Sequence, residues 1–310
     1  MRDQRTNPRE LNVVTGAFGF TGKYITRRLL DRGKDVLTLT GHPGRENPFG
    51  ERVSVAPFNF DNPETLTRSM QGASVLFNSY WVRFSYGRTT FQSAIDNTRT
   101  LIRAAREAGV RRIVHISITN ASTDSSLPYF RGKGIVEELV MYSGMSYAII
   151  RPAVIFGAEG ILINNIAWLL RRFPLFTIPG SGDYRLQPAY VEDVAEIAVR
   201  AADGDANEVI DAVGPEVYSY SDLVRLIAAA VGSRAILVHL PPDLVLALSK
   251  LVGYLVKDVV LTPDEIEGLM AGLLVSSGPP TGTTRLSEWL TQNADRLGIR
   301  YISELARHYR

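Results

Sequence analysis

Cysteine is absent from this chain of 310 residues. That one absence excludes disulfide staples, thiolate metal sites and a cysteine nucleophile. Histidine is scarce, occurring only at positions 42, 115, 239 and 308. No two of these have metal-ligand spacing and neither HExxH nor CxxC occurs, so no metal is expected. His115 alternates within a strand and reads as a satisfied core residue. The GxSxG nucleophile elbow is also missing, which speaks against a serine hydrolase. No run of about 18 apolar residues exists. The most apolar long stretch, DLVLALSKLVGYLVKDVVL (243–261), is broken by Lys250 and Lys257 and reads as one or two buried helical segments rather than a membrane-surface helix. The opening MRDQRTNPRE lacks the apolar core of a signal peptide, which leads to the expectation of a cytoplasmic protein. An excess of one charge is lacking too: Lys+Arg total 34 against 32 Asp+Glu, a net +2. Nothing in that balance calls for a nucleic acid or a membrane as partner; a small-molecule substrate is expected instead.

What is present is a globular composition, 45% hydrophobic and 21% charged, with length enough for one large or two modest domains. Short apolar runs of strand type (11–15, 35–40, 52–58, 73–80, 111–117 and 146–151) alternate with helical patterns at 23–33, 62–72, 91–109 and about 129–143. Strand alternating with helix implies an α/β fold, a doubly wound parallel sheet. Residues 1–157 are expected to form this Rossmann domain. Residues 158–310 are expected to form a smaller C-terminal substrate lobe, with about 182–214 returning to the sheet. Helices are expected in the lobe at 161–172, 190–203, 221–232, 243–256 and 284–297, and a strand at 207–214.

TGAFGFTGK (15–23) follows the first strand directly and opens the first helix. Gly16 permits a tight turn, Gly19 lets the main chain approach a pyrophosphate, and Gly22 lets the helix pack on the strand. The helix start then aims free N–H groups at the phosphates. A triphosphate P-loop is disfavoured because no GK[ST] follows.

The spacing GxxGxxG resembles the loop of extended and atypical short-chain dehydrogenases/reductases. TRTLIRAAREAGVRRIVHIS (98–117), PYFRGKGIVEELVMYSGMSYAIIRPAVIFG (128–157) and GDYRLQPAYVEDVAEIA (182–198) resemble later segments of that superfamily. The C-terminal third, with LTPDEIEGL (261–269) and GTTRLSEWL (282–290), is similar to a subgroup near the dehydrogenase-like accessory subunit of respiratory complex I. The resemblance implies that Phe18, Phe20 and Thr21 join the glycines at the cofactor. It implies the same for Asn59 and Phe60 after the third strand, for Asn78, Ser79 and Tyr80 ending the fourth, and for Pro152 and Val154. It also implies a possible homodimer through the helices at 91–109 and 129–143.

An NAD-preferring site usually ends the second strand with an acid that binds the ribose 2′-hydroxyl. Here that place is Thr40, and VLTLTGHPGR (36–45) contains no acid. A 2′-phosphate would meet Thr40 and either His42 or Arg45, so NADP is expected, with NAD as the alternative.

Tyr129 and Lys133 stand four apart and so share a helix face. A lysine ammonium there is expected to lower the phenol pKa toward neutrality and make Tyr129 a general acid/base. Lys133 would also reach the nicotinamide ribose. Ser117 and Thr119, on one side of the fifth strand, are candidates to bond the substrate oxygen; the superfamily's extended members point to Thr119, and Ser117 stays open. SYWVRFSYGR (79–88) offers aromatic side chains as a wall for a quinone-like substrate, or as an interface. Asn164 and Asn165 are read as helix caps rather than substrate contacts. The expectation is an NAD(P)-dependent oxidoreductase of a small carbonyl, alcohol or sugar nucleotide. The alternatives are a nucleoside-diphosphate-sugar epimerase and a non-catalytic NADP(H)-binding regulator or complex subunit.

Overall fold

The computed structural model describes residues 10–308; the polar opening stretch read for a signal peptide falls almost wholly outside them. The first half runs β1 (Leu11–Thr15), α1 (Phe20–Asp31), β2 (Asp35–Thr40), β3 (Val53–Pro57), α2 (Pro63–Ser69), β4 (Ala73–Asn78), α3 (Phe91–Glu107), β5 (Arg112–Ile116), α4 (Pro128–Met141) and β6 (Ser146–Pro152). The second half begins with β7 (Ile155–Phe156), α5 (Ile161–Arg172), β8 (Leu175–Pro179), β9 (Arg185–Leu186), β10 (Ala189–Tyr190), α6 (Val191–Ala201) and β11 (Glu208–Ala212). It continues through β12 (Tyr218–Ser219), α7 (Tyr220–Ala230), β13 (Ile236–Leu240), α8 (Pro242–Val256), α9 (Pro263–Met270), α10 (Leu286–Asn293) and α11 (Glu304–His308).

Local chemistry sets the element ends. Asn62 caps α2 by accepting from the Thr65 N–H, with Pro63 in the first turn where no donor is needed. Thr90 and Ser93 form a reciprocal capping box at α3, and Gly109, at φ +83°, follows that helix. α1 starts at Phe20, three residues ahead of the periodic stretch, because extended Gly19 is its N-cap.

Seven parallel strands form the sheet in the order β11-β6-β5-β4-β1-β2-β3. The inner strands β1, β4 and β5 are almost wholly buried, which is why they read as continuous apolar runs rather than alternating ones. Strand order reverses between β1 and β4, the place where such sheets open a crevice at their carboxyl ends. Residues 191–212 belong to this layer: α6 packs on α1, and β11 pairs with β6. The lobe has its own core, where Phe156, Ile166, Leu223 and Trp289 bring β7, α5, α7 and α10 together.

Several expectations need correction. The parallel pair β8–β13 was not anticipated, because its end pair Leu175 and Ile236 is exposed and leaves no buried-strand pattern. The helix expected at 284–297 covers only Leu286–Asn293. α8 is not buried: only Val245, Ser249 and Gly253 face inward, because one face alone meets the lobe. Asn164 and Asn165 cap nothing. Their amides donate to the Arg300 and Ile302 carbonyls, and their oxygens accept from the Gly298 and Ile302 N–H groups, stapling residues 298–302 to α5.

Arg112, fully buried, joins β5 to the far layer. It donates to the Ala201 and Ala206 carbonyls at 2.8 and 3.0 Å and meets Glu208 at 3.2 Å. Arg112→Met strands those acceptors, and urea denaturation is expected to show a loss of about 2–4 kcal/mol. A change under about 0.5 kcal/mol, the usual size for a surface substitution, would contradict this role.

Candidate functional site

The site is built first from main chain. Gly16 holds φ +67° and donates to the Leu39 carbonyl, turning the chain from β1 across β2. Gly22 lies so close to this turn that a Cβ on it would collide with the Gly16 carbonyl. Thr38 fixes the loop from below: its hydroxyl donates to the Val14 carbonyl and accepts from the Ala17 N–H, both at 3.1 Å. Ser79 closes the other side, donating through its hydroxyl to the Thr15 carbonyl and through its N–H to the Thr15 hydroxyl. Above this floor lies a crevice of about 790 Å³, within the usual range for a cofactor or small-molecule site. On the β3 side, Phe58, Phe60 and Tyr80 pack ring to ring at 4.8–5.4 Å. Tyr80 is held there by the Asn97 amide.

On the α4 side stand Tyr129, Lys133 and Ser117. The Lys133 ammonium donates to the Ile116 carbonyl at 2.9 Å and lies 4.9 Å from the Trp81 ring centroid. Burial drives its pKa down to about 7, with Glu137 opposing. Glu137 is itself buried and paired with Arg151. The phenol behaves contrary to expectation. Burial pushes the Tyr129 pKa up, Glu265 and Glu304 add to the rise, and Arg83 opposes it. The Tyr129 ring meets Trp81 and Phe91 edge-on at 6.1 and 6.0 Å. Ser117 lines the crevice, and its hydroxyl is buried with no partner among the described residues.

The crevice gathers most of the anticipated residues: Gly16, Phe18, Gly19, Phe20, Thr21 and Gly22 from the loop; Thr40, His42 and Arg45 after β2; Asn59, Phe60, Ser79 and Tyr80; and Ser117, Tyr129, Lys133 and Pro152. Three anticipated residues lie elsewhere. The Thr119 hydroxyl donates to the Leu273 carbonyl at 2.9 Å, pinning the lobe. Val154 packs in the lobe core. Asn78 sits behind the crevice, accepting from the Tyr80 N–H and donating to His115 Nδ1. His115 is fully buried and held neutral by that burial and by Lys133.

The lining residues that escaped the sequence reading include Glu304 and Arg307, from the C-terminal helix. Buried Asp258 seats that helix by accepting from the Glu304 and Leu305 N–H groups and the Tyr301 hydroxyl. Arg83 then ties Glu265 and Glu304 together. Arg45 donates to the Arg307 carbonyl at 2.7 Å. No motif announces α11, because its role depends on partners up to about 260 residues away. Among the described residues no group of three His, Asp or Glu side chains is placed to hold a metal.

Residues 16–161 match a family described as NAD(P)H-binding. The match covers just under half of the chain and falls on the glycine cradle at the switch point of a Rossmann-like sheet. The chain is 28% identical over 315 residues to NADH dehydrogenase (ubiquinone) 1 alpha subcomplex subunit 9, mitochondrial, of Mus musculus, covering 96% of this chain and 80% of that protein. The protein of the same name from Arabidopsis thaliana is 25% identical over 283 residues, with 85% and 70% covered. In structure the chain is similar to the NADPH-dependent quinone oxidoreductase of Escherichia coli complexed with NADPH (TM-score 0.69, 22% identity, 91% and 99% covered). It is also similar to the Citrobacter sp. triphenylmethane reductase complexed with NADP(H) (TM-score 0.70, 18% identity, 91% and 99% covered).

Two outcomes follow from the geometry. Gly22→Ala forces backbone apart at the cradle, so calorimetry should show a loss of about 1–3 kcal/mol in stability and a fluorescence titration should show loss of NADPH binding. Unchanged affinity would remove the cradle from cofactor binding. For Lys133, the unfolded side chain keeps its proton to its ordinary 10.5 while the folded one releases it at about 7. Between those values the unfolded chain binds more protons, so this group's contribution to stability improves as pH rises. Lys133→Met should therefore raise the Tm of the cofactor-free protein most at about pH 7 and below, with the gain shrinking toward about pH 10.

Proposed function

We propose that the chain is an NADP(H)-dependent reductase of a flat, apolar carbonyl compound. The observation that carries this reading is the placement of Ser117, Tyr129 and Lys133 along the crevice that the glycine loop opens. When bound, the nicotinamide supplies the hydride. Ser117 donates a hydrogen bond to the substrate oxygen. Tyr129, whose pKa is raised, keeps its proton at neutral pH and donates a second bond, leaving the oxygen polarised. Lys133, with a pKa of about 7, can deliver a proton to the reduced oxygen and recover it from water. Trp81, Ile116 and Ile118 line the same end and suit an aromatic ring better than the hydroxyls of a sugar, which weakens the epimerase reading. Support for NADP comes from Thr40 in place of an acid and from Arg45 and Arg307 on the lining.

A second reading, a subunit that holds NADP(H) without turning it over, is favoured by the sequence relatives named as NADH dehydrogenase subunits and by one packing contact. The Trp81 ring is seated on α4 at Gly132, where a Cβ would lie 2.8 Å from it, so an aromatic lid packs on the helix that carries Tyr129 and Lys133.

NADPH oxidation followed across a panel of quinones and aromatic aldehydes separates the two. Turnover is expected, with Tyr129→Phe lowering kcat about 100-fold or more and leaving the NADPH Kd within about twofold. Tight NADPH binding with no turnover on any acceptor would establish the second reading in its place. For the cofactor, Arg45→Ala should weaken NADPH about tenfold, the size of one charge-assisted contact, and leave NADH nearly unaffected. Equal losses would assign Arg45 no part in discrimination.

A further inference from the structure

The last helix crosses the mouth of the crevice. Strand β1 lies between β4 and β2 in the sheet, and α11 is tied to the loops that follow both neighbours. On the β4 side, the Arg83 guanidinium lies 3.6 Å from the Glu304 carboxylate. On the β2 side, Arg45 donates to the Ala306 and Arg307 carbonyls at 3.4 and 2.7 Å. A segment fixed at both places passes over the carboxyl end of β1, where the glycine loop begins. A third tie comes from the loop after β7, where the Glu159 carbonyl accepts from the Arg307 guanidinium at 2.9 Å. That loop lies against the first residue of α1: a Cβ on Gly157 or Gly160 would stand 3.3 or 3.4 Å from the Phe20 ring. The foot of α11 is Asp258, buried and outside the crevice lining. Its carboxylate accepts from the Glu304 and Leu305 N–H groups at 2.9 and 3.0 Å and from the Tyr301 hydroxyl at 2.9 Å. Apart from buried Leu305, these fastenings are hydrogen bonds and ion pairs. A short segment held in this way parts from the body more readily than a core helix.

We infer that α11 is a strap that retains the dinucleotide on the glycine loop, with Arg307 supplying charge to its phosphates and Asp258 positioning the strap from outside the crevice. A guanidinium near the start of α1 adds to the N–H groups and the helix dipole that favour an anion there. Burial pulls the Arg307 pKa down, with Glu304 and Glu159 opposing. The charge is thus held at a cost that a bound phosphate would relieve. Cofactor entry and exit then require the ties of α11 to part, as in other sites closed by a mobile segment. This role rests on the reading of the crevice as an NADP(H) site and not on the hydride chemistry. Asp258 touches neither the lining nor the reacting groups, so it acts through α11 alone.

The test is the rate at which bound NADPH leaves the full chain, followed by its fluorescence after a chase with excess NADP⁺, together with hydrogen exchange at residues 300–308. In the parent, NADPH is expected to slow exchange of the Glu304 and Leu305 amides. Arg307→Met and Asp258→Asn should each speed NADPH release about tenfold, the size of one charge-assisted contact. Release within about twofold of the parent in Arg307→Met would take Arg307 away from the phosphates and overturn the inference. The same result in Asp258→Asn, with only a lower Tm, would make Asp258 a structural residue and overturn it too. So would NADPH binding that leaves exchange at α11 unchanged. Failure of the parent to bind NADPH would overturn the cofactor reading and the strap together; turnover plays no part in these readouts.

Discussion

The structure hangs on one close approach of backbone to backbone, where the start of α1 passes the Gly16 turn with no room for a side chain at Gly22. That approach lets the helix begin within a few residues of the β1 end, with its free N–H groups facing the crevice. It also fixes the spacing between α1 and the sheet, on which α6 then packs to complete one outer layer. The loop is held from beneath by Thr38 and from the side by Ser79 through Thr15. The nucleotide cradle and the hydrophobic core thus share the same few main-chain contacts, so disturbing one disturbs the other.

A second constraint is the low polarity of the α4 side. Lys133 is buried with only a carbonyl, an indole face and the nearby Glu137 to compensate its charge. Those partners do not match the hydration it gives up, and its pKa falls to about 7. The same burial raises the phenol of Tyr129. Two groups whose ordinary pKa values lie close together are thereby separated, the phenol staying protonated while the amine titrates near neutrality. Such a separation is how one site comes to hold both a standing hydrogen-bond donor and a mobile proton.

The lobe reaches the crevice through charge and hydrogen bonding more than through apolar packing. Asp258 fastens the start of α11, Arg83 draws Glu265 and Glu304 together, and Arg45 closes onto the carbonyls of Ala306 and Arg307. The sheet supplies the floor, and Glu304 and Arg307 of α11 supply part of the rim. Thr119 and Asn120, at the end of the fifth strand's loop, serve this joint by donating to the Leu273 and Val275 carbonyls. That engagement leaves Ser117, rather than Thr119, as the residue of the pair that lines the crevice with its hydroxyl unpartnered among the described residues.

The sequence by itself determined the doubly wound sheet, the glycine cradle and the helix bearing Tyr129 and Lys133. Each is written in local periodicity and spacing: apolar strand runs, glycines three apart, and two residues four apart on one helical face. What it could not determine rests on contacts between distant segments. Whether Ser117 or Thr119 is free depends on Leu273, and the pKa values of Tyr129 and Lys133 depend on how much chain covers them. The rim role of Glu304 and Arg307 depends on Asp258 and Arg45. The exposure of α8 likewise follows from how little of the lobe covers it, since an apolar stretch reads the same whether its second face meets protein or solvent. Local pattern fixes which residues form an element and which side is apolar; only the tertiary structure decides what each side then meets.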